Sequence, residues 1–185
     1  MTHDLHNHHR RSIRLKGYDY AQAGAYFVTI CTQNRACLLG EVVGGEMRLN
    51  DAGRIVADVW EWLGIQYDYV ELDEWVVMPN HLHGIIVITD DNCRGGSRTA
   101  PTRTAPTPPT QRKPIGRLVG AFKTVSTKHI NERRGTPGVP VWQRNYYEHI
   151  IRSDPSLQRI RAYIANNPLR WYHDRENPAA QEVTL

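Results

Sequence analysis

His81-Leu82-His83 is the tripeptide of this chain with the clearest capacity for chemistry. On a β-strand alternate side chains share a face and residues rise about 3.3 Å each, so the two imidazoles stand roughly 6.6 Å apart at Cα and converge on one side. Two imidazoles without a thiolate suit a divalent cation completed by oxygen ligands, with positions left for phosphate oxygens. The same spacing fits two core histidines satisfied by hydrogen bonds, and the tripeptide alone does not separate the readings. A second pair, Tyr163 and Asn167, is four residues apart, one turn of a helix, so a phenol and an amide oxygen project from one side. Together they would place a nucleophile beside an oxygen ligand. Taken separately they read as a tyrosine at the edge of the core and an asparagine ending a helix before Pro168. Tyr146 and Tyr147 are rival nucleophiles, but they fall on a predicted strand and have no partner of ligand type one helical turn away.

The elements that must hold these residues can be read from periodicity. Tyr26-Phe27-Val28-Thr29-Ile30-Cys31-Thr32 is β-branched and aromatic, a strand. Beyond the turn-rich Gly44-Gly45 and the N-cap residues Asn50 and Asp51, Ile55, Val56, Val59, Trp60 and Leu63 recur at helical spacing up to Gly64. Strands are predicted over Tyr69 to Met78 and His81 to Thr89 around the Pro79-Asn80 turn, the second apolar on both faces apart from its histidines and so central in a covered sheet. Ile115, Leu118, Val119, Phe122, Val125 and His129 mark a second helix whose other face carries Arg117, Lys123 and Lys128. Val139 to Ile151 reads as a strand, and Asp154-Pro155 opens a third helix through Leu157, Ile160 and Ile164. The order β-α-β-β-α-β-α predicts an α+β sandwich of ferredoxin-like type: an antiparallel sheet of about four strands with helices on both faces. Residues 1–17 are expected to be a flexible basic tail that includes His3, His6, His8 and His9, 18–175 a single domain, and 176–185 a C-terminal tail.

The charge is unevenly placed. The 185 residues hold 23 Lys+Arg against 19 Asp+Glu, a net +4. Ten of the basic residues lie between Arg94 and Arg134 with a single acid, Glu132, so that stretch is strongly positive and the remainder acidic. Such a segment points to a polyanion, nucleic acid above all, and makes Arg117, Lys123 and Lys128 candidate phosphate contacts; a solvated loop is the alternative. About residues 90–113 the composition is low in complexity, with Arg-Thr-Ala-Pro-Thr in tandem, and cannot bury enough to fold alone. The longest aliphatic run, Ile85 to Ile88, is far short of the roughly 20 residues of a membrane span, so a cytoplasmic protein without a membrane partner is expected. Cys31, Cys37 and Cys93 form no CxxC pair, which argues against a disulfide framework and a four-thiolate zinc site.

Three segments then fall into a known order: Met78-Pro79-Asn80-His81-Leu82-His83, Trp142-Gln143-Arg144-Asn145-Tyr146-Tyr147-Glu148-His149-Ile150-Ile151-Arg152, and Tyr163-Ile164-Ala165-Asn166-Asn167-Pro168. From about Tyr18 to Trp171 the chain resembles the REP-associated tyrosine transposases, small single-tyrosine relatives of insertion-sequence transposases among the HUH endonucleases. The resemblance implies His81 and His83 as metal ligands, Asn167 as the third ligand at a position usually held by Gln in the insertion-sequence enzymes, and Tyr163 as nucleophile. Gln143, Tyr146, Tyr147, His149 and Arg152 match the second signature, and Arg152 joins the DNA-contacting set. The implied activity is Mg²⁺- or Mn²⁺-dependent nicking and rejoining of single-stranded DNA at hairpins, the REP palindromes, through a 5′-phosphotyrosine, by a monomer at the bacterial nucleoid. Two alternatives stand beside it: a nucleic-acid-binding module of the same fold without activity, and a mobile insertion-sequence transposase.

Overall fold

The computed structural model describes residues 17–90, 112–174 and 176–181. The His-rich tail and the tandem repeat lie outside the described residues. Nine elements frame the domain: β1 (Gly24–Cys31), β2 (Gly40–Val43), β3 (Glu46–Leu49), α1 (Asp51–Gln66), β4 (Val70–Val77), β5 (His81–Ile88), α2 (Ile115–Arg134), β6 (Tyr147–Ile151) and α3 (Asp154–Ala165). Past α3 come a 3-10 stretch, Pro168–His173, and one short helical turn, Pro178–Gln181.

β4, β5, β1 and β6 lie side by side in that order, every neighbouring pair antiparallel. This is the expected ferredoxin-like sheet, with α1 and α2 on one face and α3 on the other. The period of two along a strand sorts the residues. Tyr26, Val28 and Ile30 of β1 and Leu82, Ile86 and Ile88 of β5 join Val56, Trp60 and Leu63 of α1 and Leu118 and Phe122 of α2 in the main core. Phe27 and Ile85 point the other way and pack with Ile151 and with Ile164 of α3. A Cβ at Gly84 would stand 2.4 Å from Cζ2 of Trp60, so only glycine lets the buried indole lie against the centre of β5. Asn50 caps α1 by accepting from the Gly53 N–H at 3.0 Å, and Gly135, at φ 64°, ends α2 in the left-handed conformation. At the far end of β5 from His81, the buried Arg112 guanidinium donates to the Asp90 carboxylate at 2.7 Å, and the Lys113 N–H donates to the Tyr69 hydroxyl at 3.0 Å.

Two segments differ from the sequence reading. The Gly44-Gly45 turn closes a separate two-stranded hairpin, β2 with β3, where only a turn was expected. The strand expected over Val139 to Ile151 is confined to Tyr147–Ile151, with one isolated bridge from Trp142 to Thr32. Pro140 has no N–H to give a ladder, and the Val139 carbonyl is taken by the Asn131 side chain at 2.8 Å. The carbonyls of Gln143 and Asn145 turn instead to the Lys123 ammonium, at 2.8 and 3.0 Å. Glu176 and Asn177, within the stretch expected to be a tail, are buried.

Candidate active site

β5 carries His81 and His83 on the α3 side of the sheet, and their rings come within 4.4 Å of each other, centroid to centroid. Both are buried, at 0% and 3% exposure. Each Nδ1 has its own partner: Asn80 Oδ1 for His81 at 2.8 Å and Thr29 Oγ1 for His83 at 2.9 Å. Thr29 reaches His83 because β1 and β5 pair these two residues directly in register. Burial holds the His81 imidazole neutral, its pKa lowered to about 4 against the opposing pull of the Asp174 charge and of the Asn167 side chain.

α3 brings in the other pair. The Tyr163 hydroxyl is 3.1 Å from His83 Nε2, with its ring 41% exposed and edge-on to Phe27. Asn167, one turn on and only 1% exposed, sends Nδ2 to the Asp174 carboxylate at 3.3 Å. That bond fixes which way the amide faces, and Oδ1 is left buried without a hydrogen-bond partner. His81 Nε2, toward which the Asn167 side chain lies, is likewise buried without a hydrogen bond of good geometry. Buried polar atoms without well-formed hydrogen bonds are costly, and a cation is one way to satisfy both. Ligand atoms of His81, His83 and Asp174 all lie within 4.8 Å of one another, a group that could hold a metal. The nitrogen and oxygen donors here suit a divalent ion of the magnesium to zinc series.

Four of the expected site residues, His81, His83, Tyr163 and Asn167, are thus brought together from β5, α3 and the turn that follows. The basic candidates are elsewhere. Arg117 and Lys128 are exposed on α2, which packs on the opposite face of the sheet, and Lys128 is 3.8 Å from Glu132. Lys123 is engaged by the loop carbonyls and its ammonium is lowered to about 8 by burial. Arg152 is exposed just past β6. Of the rival tyrosines, Tyr146 donates its hydroxyl to Glu148 at 2.5 Å and packs toward the main core. Tyr147 is 44% exposed, pairs in register with Thr29 and lies edge-on to Phe27. Asp174, Asn80 and Thr29 escaped the sequence reading. Thr29 was open to discovery once β1 and β5 were paired, whereas nothing in the sequence around Asp174 announces a side chain folded back on β5.

Comparison with known proteins gives the chain its relatives. An uncharacterized protein of Haemophilus influenzae is 44% identical over 171 residues, covering 91% of this chain and 93% of that one. The chain belongs to one family with this Haemophilus protein. No family model matches it. Among solved structures, a REP-associated tyrosine transposase bound to a REP hairpin superposes with a TM-score of 0.56 at 17% identity, over 87% of this chain and 74% of that one. Our protein therefore has a solved counterpart in fold: a mixed α+β domain with a four-stranded antiparallel sheet. No helix among the described residues is long and apolar enough to cross a membrane.

Proposed function

We propose that the protein is a single-tyrosine strand-transfer enzyme of the REP-associated type, which nicks and rejoins single-stranded DNA at hairpins. One observation carries this reading: the Tyr163 hydroxyl sits 3.1 Å from His83 Nε2, beside the buried His81 Nε2 and Asn167 Oδ1, neither of which makes a hydrogen bond of good geometry. His81, His83 and Asn167 would hold a Mg²⁺ or Mn²⁺ ion, with Asp174 at hand to orient the Asn167 amide. Such an ion, when bound, offsets the charge of a phosphodiester and eases departure of the 3′ oxygen. Tyr163 is the nucleophile: its oxygen forms a bond to phosphorus as the bond from phosphorus to the 3′ oxygen breaks. The products are a 5′-phosphotyrosine and a 3′-hydroxyl, the phenol giving up one proton and the departing 3′ oxygen gaining one. One phosphodiester replaces another, so the same site can rejoin strands without ATP. The half-exposed position of Tyr163 leaves its hydroxyl accessible to a strand from solvent.

The exposed Arg117, Lys128 and Arg152 are proposed to contact phosphates and to orient the hairpin. Lys123, whose ammonium binds three consecutive carbonyls, is proposed to act by shaping the 143–145 loop. The basic stretch within 94–113 is proposed to add affinity that falls with salt.

The deciding experiment incubates the protein with labelled single-stranded hairpin DNA and Mn²⁺. A covalent adduct is expected from the wild type, Tyr146→Phe and Tyr147→Phe, and none from Tyr163→Phe. An adduct that survives in Tyr163→Phe overturns the assignment of the nucleophile. Tight binding with no adduct under any divalent ion supports the binding-module reading instead.

A further inference from the structure

Asn80 lies between the strands that build the site, is 1% exposed, and has every side-chain polar atom engaged. Its Nδ2 donates to two backbone carbonyls, those of Arg35 at 3.0 Å and Glu176 at 2.6 Å. A carbonyl oxygen only accepts, so the amide has one acceptable orientation; turned over, its oxygen would face two oxygens. Oδ1 is therefore the atom facing His81 Nδ1 at 2.8 Å, and being an acceptor it requires a proton on that nitrogen. A neutral imidazole with its proton on Nδ1 has a lone pair on Nε2, the buried atom that makes no hydrogen bond of good geometry and faces the Asn167 side chain.

The geometry points to Asn80 as a positioning residue that locks His81 in the Nδ1–H tautomer and so keeps Nε2 open as a donor atom to a cation. This rests on the reading of His81 as a metal ligand. Orientation of a ligand imidazole by a hydrogen bond to its other nitrogen is the general way such rings are fixed. Here the fixing group is itself anchored at both ends of the fold. Arg35 follows β1, and Glu176 stands 96 residues further along the chain than Asn80, so the C-terminal segment belongs to the frame of the site. Glu176 is held in turn by Arg35 Nε at 3.2 Å and by the Cys31 thiol, which donates to Oε2 at 3.7 Å. His83 differs: its Nδ1 partner is a hydroxyl, which accepts or donates, so Thr29 does not dictate a tautomer.

The test is long-range ¹H–¹⁵N correlation spectroscopy of the full, ¹⁵N-labelled, metal-free chain. His81 is expected to show a protonated Nδ1 and an unprotonated Nε2. An Nε2–H tautomer or an averaged pair in the wild type overturns the inference, and this measurement needs no variant that has to fold. In Asn80→Ala the His81 nitrogens are expected to move toward averaging while those of His83 hold. Mn²⁺ affinity is expected to fall about 10- to 100-fold, the usual effect of losing such a partner. Unchanged His81 nitrogens in the folded variant also overturn it. A wild type with the Nδ1–H tautomer that does not bind Mn²⁺ defeats the metal-site reading on which the inference rests, a failure distinct from the wrong tautomer.

Discussion

Replacing Tyr163 by Phe is expected to abolish the covalent adduct and at the same time tighten the binding of Mn²⁺. The substitution deletes a hydroxyl 3.1 Å from His83 Nε2 and keeps the ring contacts, 5.1 Å to His83 and 6.2 Å to Phe27. A cation that takes the Nε2 lone pair must first displace the phenol from it. A hydrogen bond of this kind is worth about 0.5–1.5 kcal/mol net, which converts to about a two- to twelve-fold change in Kd. Because Tyr163 is 41% exposed, water replaces part of what the phenol gives, and the lower end of that range is expected. Calorimetric titration of both proteins with Mn²⁺ in the absence of DNA measures the difference directly. Equal or weaker binding by Tyr163→Phe would refute the competition, and would mean that the phenol supports the imidazole in its metal-binding pose.

Two further outcomes concern the frame. Arg161 of α3 donates its Nε–H to Asp73 of β4 at 2.8 Å, with a second bond from Nη2, and this pair holds the Asp73 carboxyl below its usual range. A folded-state pKa lower than the unfolded one stabilises above the unfolded value and loses that gain as pH falls, so Asp73→Asn should lower the melting temperature at neutral pH, with the difference closing below about pH 4. Gly84→Ala places a methyl 2.4 Å from Trp60 and should cost about 1–3 kcal/mol, read as a lower urea midpoint at unchanged m-value.

The legible parts of this protein are those that local periodicity encodes. His81 and His83 share a face because a strand repeats every two residues, and Tyr163 and Asn167 share one because a helix turns every 3.6. Both pairs could be aimed before any tertiary structure was known. The β2–β3 hairpin was missed because each arm has only four residues, too short for a period to declare itself beside the Gly44-Gly45 turn. The strand over Val139 to Tyr146 was over-read, since aromatic and β-branched content says nothing of where carbonyls go, and Lys123 draws them off the ladder. Asn80 looked like a turn residue and serves as one. Its hold on His81 depends on the carbonyl of Glu176, a long-range contact with no local signature. Asp174 was hidden for the same reason, reaching Asn167 only through the 3-10 stretch between them.

The bond from Arg112 to Asp90 gives the site a length scale. It joins Asp90 to Arg112, the described residues on either side of 91–111, and it stands beyond the end of β5 opposite His81. Seven steps along the strand separate His81 from Ile88, about 23 Å at 3.3 Å per residue. Stacked nucleotides advance about 3.4 Å per strand step, so that span corresponds to about seven of them. β5 is buried between the helices on the two faces of the sheet, so a nucleic acid that reaches both ends at once must cross the outer surface of the domain and span at least that distance. Shorter oligonucleotides can satisfy one end of the molecule or the other, and binding should strengthen abruptly where the strand becomes long enough to reach both.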